Sequence, residues 1–207
     1  MVVGGHTRHV GKTAFVEDVI RAFPQAHWTA VKITSHLHVA GSEDDSAGSG
    51  FPASILHEET DRSADTDTSR YLAAGARRAF WLRFQPGRLA EAIPSLQTAL
   101  RGTEHAILES NAVIEFIRPQ IFIMVMDSAQ REFKDSARLL LDRADAFLLR
   151  RAVSPSDWGG LGGQVTGSRP IFLQPFGHPL PSNLLSLIRK SLFPAMHPET
   201  TDGHLQG

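Results

Sequence analysis

The run Gly4-Gly5-His6-Thr7-Arg8-His9-Val10-Gly11-Lys12-Thr13 constrains this chain more than any other stretch. It follows the apolar pair Val2-Val3 and leads into Lys12 to Ala22, where Phe15, Val16, Val19 and Ile20 recur at helical spacing before Phe23 and Pro24. Strand, glycine loop, then a helix opening on Lys-Thr is an arrangement that cradles phosphate. Converging N–H groups need glycines where a side chain would intrude, a lysine reaches the β/γ-phosphates, and a hydroxyl holds Mg²⁺. The helix dipole adds attraction for anions at the same point. The usual pattern G-x-x-x-x-G-K-[ST] would place a glycine at position 6, which is histidine here. Gly5 lies one residue early, so five residues separate it from Gly11.

Short apolar runs alternate with amphipathic stretches along the rest of the chain, the rhythm of an α/β protein with a mainly parallel sheet. The pattern predicts strands at Val2-Val3, Trp28 to Ile33, Ala79 to Phe84, Ala106 to Leu108, Ile121 to Met126, Ala146 to Leu149 and Pro170 to Leu173. It predicts helices at Lys12 to Ala22, Thr68 to Ala74, Gly87 to Leu100, Phe133 to Leu141 and Ser182 to Leu192. The expected architecture is three-layered, a mostly parallel twisted sheet flanked by helices, in one nucleotide-binding domain over residues 1–194. Residues 195–207 read as a flexible polar tail, and Gly159-Gly160-Leu161-Gly162-Gly163 as a flexible loop. Residues 35–67 have few aliphatics and many His, Asp, Ser, Thr and Gly, and a connection that long is usually functional or disordered.

Bulk composition narrows the partners. With 21 basic and 22 acidic residues the net charge is near zero, so no overall field favours nucleic acid or an anionic membrane. The absence of cysteine excludes disulfides, thiolate metal sites and cysteine nucleophiles, and fits a reducing compartment. No apolar run approaches the ~20 residues that span a bilayer, and no secretion signal opens the chain. A cytoplasmic protein is expected.

The sequence G-H-T-R-H-V-G-K-T is similar to the G-T-x-T-x-V-G-K-T loop of dethiobiotin synthetases, members of the SIMIBI class of P-loop NTPases, in which such variant loops are common. A second resemblance covers more of the chain. Val31-Lys32-Ile33-Thr34-Ser35-His36-Leu37-His38 resembles the V-x-K-x-x-x-H-x-H stretch of the molybdopterin-guanine dinucleotide biosynthesis protein B family. Asp67 to Ala76 resembles that family's D-[ST]-x-R-x-x-x-A-G-A run, and Ala106-Ile107-Leu108-Glu109-Ser110-Asn111 stands where the family has an apolar strand ending in Glu-Gly. These blocks fall in order over about the first 110 residues, with Ser110 in place of the glycine. The resemblance implies a small nucleotide-binding α/β protein, an adaptor or slow NTPase that works with a cofactor-biosynthesis enzyme. Proteins of the SIMIBI class usually read guanine with N/T-K-x-D after a late strand. Phe147-Leu148-Leu149-Arg150-Arg151-Ala152 occupies that place without the lysine or the aspartate, so both GTP and ATP stay open.

The candidate site follows. Gly5, His6, Thr7, Arg8, His9, Val10, Gly11, Lys12, Thr13 and Ala14 would hold the phosphates. Lys12 and Glu109 are the catalytic candidates, and Thr13, Asp67 and Glu109 the Mg²⁺ candidates, since Mg²⁺ bound with phosphates takes a hydroxyl, waters and one or two carboxylates. Glu109 ends an apolar strand, and Asp67 stands before a helix, where it could equally serve as N-cap. Asp127 follows another strand and reads as a helix-entry residue. His36 and His38, at i and i+2, and His57 with Glu58 and Glu59 invite a Zn or Ni reading, but match no strong metal spacing; contact with nucleotide or a second substrate is the alternative. Arg70 could reach phosphate or pair with Asp67. Arg8 could touch a phosphate across a homodimer interface. Three functions remain beside the slow NTPase: a small-molecule kinase or ligase with its acceptor on the 35–67 loop, a non-hydrolysing adaptor, and a histidine-using metallochaperone.

Overall fold

The computed structural model describes residues 1–35 and 52–194. The predicted tail, together with His36 and His38, lies outside the described residues. Eight strands form one sheet in the order β3-β4-β2-β5-β1-β6-β7-β8, where β1 is Val2–Gly5, β2 Thr29–Thr34, β3 Ser54–Glu59, β4 Arg78–Phe84, β5 Ala106–Glu109, β6 Phe122–Met126, β7 Ala146–Leu149 and β8 Ile171–Leu173. All neighbours run parallel except the β3–β4 pair. The described residues also form six α-helices: α1 Lys12–Ala22, α2 Asp67–Ala73, α3 Leu89–Ala99, α4 Asp135–Arg138, α5 Leu161–Ser168 and α6 Ser182–Leu192.

The inner strands are apolar on both faces because helices cover both faces of a parallel sheet. Alternate side chains divide the core. Val3, Ile123, Val125 and Leu148 pack with Phe15 and Ile20 of α1, Tyr71 of α2 and Leu184 and Ile188 of α6. Val2, Phe122, Met124 and Phe147 pack with Leu89 and Leu96 of α3, Ala137 of α4 and Val165 of α5. The same alternation turns Lys32 and Glu109, paired in the β2–β5 register, toward the α1 and α2 side. The next strand in chain order, β2, lies on the far side of β5, so the 5–13 loop leaves a central strand between β5 and β6.

Three elements differ from the sequence reading. β3 lies inside the 35–67 stretch, to which the sequence pattern assigned no element. It is an edge strand that needs few aliphatics; its charges are met from outside, as by Arg78 Nε donating to Glu58 at 2.8 Å. The 159–163 stretch expected as a flexible loop enters α5, and Gly162 is required there because a Cβ would overlap the carbonyl oxygen of Ser154. The expected Phe133 to Leu141 helix shrinks to α4. Leu140 N–H bonds back to Ala137 and Arg143 N–H to Leu140, tightening the chain into the 3₁₀ turn Leu141–Arg143.

Candidate functional site

The loop after β1 is fastened from four directions. The Asn111 side chain, just past β5, accepts from Gly5 N–H at 2.9 Å and donates to Gly5 O at 2.8 Å, standing in for a strand neighbour. Lys134 N–H donates to His6 O at 3.1 Å, and Thr7 Oγ1 donates to Glu132 at 2.9 Å. Arg150 Nη2 donates to Gly11 O at 2.7 Å. His6 is fully buried against Phe133 and Trp158, with ring centroids 5.2 and 4.9 Å away, and burial lowers its pKa. His6 is therefore a pillar beneath the loop, while Arg8 and His9 are exposed on it. Val10 is buried.

Gly11 is the N-cap of α1 at φ 86°, and no side chain caps the helix. The first-turn N–H groups of Lys12, Thr13 and Ala14 have no partner in their own helix and stay available to an anion. Lys12 Nζ donates to Thr7 O at 3.0 Å, folded across the loop mouth. Burial lowers the Lys12 pKa, Glu109 pulls it up, and the charges of Lys32 and Lys134 lower it again.

A Cβ on Gly11 would come within 2.6 Å of the Phe176 ring and 2.9 Å of Arg150 Nε. Gly102 also has positive φ, at 70°, but a Cβ there meets nothing within 4 Å. Gly102→Ala is expected to cost only the left-handed strain of about 1–2 kcal/mol. Gly11→Ala is expected to cost more and to weaken anion binding as well. Denaturant unfolding of the two variants side by side measures the difference.

Below the loop, on the α1 and α2 side of the sheet, lies a compact charged cluster. Glu109 is 2% exposed and accepts from Thr13 Oγ1 at 3.0 Å, from the Tyr71 hydroxyl, and from Lys32 Nζ. Lys32 Nζ also lies 2.9 Å from Asp67 Oδ2. Burial works against the Lys32 charge, but Glu109 and Asp67 outweigh it and raise its pKa. Burial would raise the Asp67 pKa, and Lys32 more than reverses this. Burial foremost, then the Glu109 charge, pushes the Tyr71 phenol well up, which keeps it a donor. The capping role open to Asp67 falls to Thr66, whose side chain accepts from Ser69 N–H at 3.1 Å. Asp67 is left to face Lys32 and Thr13. Arg70 pairs with Glu17 rather than with Asp67.

Thr13, Asp67 and Glu109 thus come together, and a hydroxyl with two carboxylates is a donor set suited to Mg²⁺. Lys32 shares the same carboxylates. Asp127 instead lies 3.3 Å from Arg151. Among the described residues no group of three His, Asp or Glu side chains is placed to hold a metal; His57 lies on the exposed edge strand β3. Lys32, Tyr71, Asn111, Lys134 and Arg150 were not singled out from sequence. A lysine inside a buried strand and an arginine ending an apolar one were the available signals for two of them.

Where a guanine-reading motif was sought, buried Arg150 ties the strand ends together. Its Nη1 donates to Gln174 Oε1 at 2.7 Å, Gln174 Nε2 donates to Asp18 at 2.8 Å, and the Phe176 ring lies 4.9 Å from the guanidinium. Two cavities flank the loop. One, of about 320 Å³, is lined by Thr7, Lys12, Lys32, Glu109 and Lys134 among others. The other, of about 470 Å³, lies beside Ala14, Asp18, Arg150 and Phe176.

No family model matches the chain, and no curated protein matches it in sequence. Solved structures do match. HypB from Helicobacter pylori, in complex with nickel, aligns over 92% of this chain and 86% of its own at 15% identity and a TM-score of 0.50. LpxK from Aquifex aeolicus, in complex with ATP, aligns over 83% of this chain and 52% of its own at 16% identity and TM-score 0.42. The signal recognition particle 54 kDa protein from Aeropyrum pernix K1, in complex with GDP, aligns over 93% of this chain and 46% of its own at 15% identity and TM-score 0.49. The chain has the P-loop NTPase fold: a mostly parallel sheet flanked by helices, with a glycine loop between β1 and α1. No helix among the described residues is long and apolar enough to cross a membrane.

Proposed function

We propose that this chain binds a purine nucleoside triphosphate, GTP or ATP, together with Mg²⁺, and hydrolyses it slowly. The observation that carries the reading is the pairing of Lys12 across the loop mouth with the Thr13–Glu109 hydrogen bond at the ends of β1 and β5. The N–H groups of the loop and the first turn of α1, from Gly5 to Ala14, take the phosphates, and Lys12 holds the β- and γ-phosphates as a point charge. Thr13 with Glu109 or Asp67 would hold Mg²⁺, which supplies neutralisation of the developing phosphate charge. The cavity beside Ala14 and Phe176 takes the nucleoside.

The sequence resemblance to the molybdopterin-guanine dinucleotide biosynthesis protein B family supports a role as adaptor for a cofactor-biosynthesis enzyme, with a homodimer as the working unit. HypB was solved with nickel, which keeps the metallochaperone reading alive; no described cluster of histidines adds to it.

Phosphate release tests the reading. The wild type is expected to release phosphate from ATP or GTP at a low rate with Mg²⁺ and none with EDTA. Release that persists in EDTA would contradict it, and tight binding without any release would leave the adaptor role in place of the NTPase.

A further inference from the structure

The two cavities sit on opposite sides of the loop, and this divides the labour of the site. The nucleoside side lies over β7 and β8, beyond Arg150 and Phe176. The other cavity runs from Gly5 and Lys12 at β1, past the ends of β5 and β2, to Phe84 at the end of β4. Strand spacing makes that about 14 Å, three steps of roughly 4.8 Å across the sheet edge. A terminal phosphate held at Lys12 fills only the near end. The whole cavity, about 320 Å³, is at the lower end of small-molecule pockets.

Its walls have a defined chemistry. Arg8, Lys12, Lys32 and Lys134 line it, together with the acidic residues Glu109 and Glu115. Lys12 lies on Thr7 O, and Lys32 is neutralised by Asp67 and Glu109. No carboxylate among the described residues lies within ion-pair distance of Lys134. Its position is nonetheless fixed, because its N–H is bonded to His6 O and its carbonyl accepts from Ala137 and Arg138 at the start of α4. A cation anchored to the loop with no carboxylate of its own, lining a cavity whose four basic residues outnumber its two acidic ones, is a receiver for an anion. The β2–β4 end is apolar at Ile33 and Phe84, with hydroxyls at Thr34 and Ser35, while Ser136 and Leu140 come with Lys134 from the chain after β6.

We propose that this cavity binds a second ligand, a small molecule whose carboxylate or phosphate head meets Lys134 at the β1 end as its counter-charge and whose apolar body runs toward Ile33 and Phe84 on the β2–β4 side. The proposal rests on the nucleotide reading above, since the second ligand lies beside the terminal phosphate. It makes the site a two-ligand one, the geometry a transferase or a ligand-gated NTPase requires.

Calorimetry on the full chain saturated with Mg²⁺ and the non-hydrolysable analogue AMP-PNP, or its guanine counterpart, tests it. The probes are inorganic phosphate, glycerol 3-phosphate and succinate, which separate phosphate from carboxylate heads. At least one is expected to bind with a Kd in the millimolar range or below. Lys134→Ala should weaken that binding at least tenfold and Lys134→Glu abolish it, while the Kd for AMP-PNP changes less than threefold and the melting temperature holds. If none of the probes binds the nucleotide complex, the proposal is overturned. It is equally overturned if Lys134→Ala weakens AMP-PNP as much as the probe, because the lysine then serves the nucleotide. If AMP-PNP itself does not bind the wild type, the nucleotide reading fails separately; the probes titrated without nucleotide then decide the proposal, which falls if Lys134→Ala leaves their binding unchanged.

Discussion

Lys12→Ala weakens Mg²⁺–nucleotide binding by at least about 100-fold while the ligand-free protein melts no lower than the wild type. The loss follows from two charge-assisted hydrogen bonds to the β- and γ-phosphates at roughly 1.5 kcal/mol each, and 1.4 kcal/mol is tenfold. The retained stability follows from the surroundings of the ammonium. It is drawn out of water, and Lys32 and Lys134 repel it; Glu109 and, to a lesser extent, Asp67 offset them in part. A group whose charged form is disfavoured in the folded state contributes little to folding, and its worth appears when phosphate arrives. Thermal unfolding with and without nucleotide measures both halves. A Lys12→Ala protein that still gains stability from nucleotide as the wild type does would remove the lysine from the site.

Glu109→Gln has the opposite signature, a large loss of stability joined to loss of activity. Glu109 accepts three hydrogen bonds while 2% exposed, and one of them comes from Lys32. Removing one partner of a buried ion pair costs about 3–5 kcal/mol. Asp67 still faces Lys32, which holds the expected cost near the lower figure. For a chain of this size about 3 kcal/mol corresponds to roughly 6–12 °C in melting temperature. Phosphate release should fall at least about 100-fold, the usual loss when a preorganised charged group is removed. Asp67→Asn, at the more exposed end of the cluster, should cost less in both respects. A Glu109→Gln protein that melts within about 2 °C of the wild type would show that the cluster does not hold β2, β5 and α2 together.

The sequence carried the central half of the sheet and the loop because both obey local rules. Val2-Val3, Ile121 to Met126 and Ala146 to Leu149 are apolar on both faces, and Gly11-Lys12-Thr13 opens an amphipathic helix. Chain-order reading fails where partners are distant. Lys32 is a polar residue in a buried strand, and its purpose becomes visible only when the register sets it beside Glu109, 77 residues away. Asn111 completes β1 through its side chain, 106 residues from Gly5. The Arg150–Gln174–Asp18 chain likewise joins three elements that nothing in sequence connects. β3 was missed because an edge strand needs no apolar run, and α5 because Gly162 and Gly163 look like loop residues until Ser154 is seen pressing against Gly162. Asp67 was open between cap and metal ligand, and Thr66 taking the cap left it facing the cation.

The central claim is that the 5–14 loop binds the phosphates of a nucleoside triphosphate with Mg²⁺. Calorimetric titration of the wild-type chain with ATP and with GTP, each with Mg²⁺ and with EDTA, tests it most directly. Saturable one-to-one binding of at least one nucleotide, lost or severely weakened in EDTA, is the predicted result. Absence of binding by both nucleotides at millimolar concentration would contradict it.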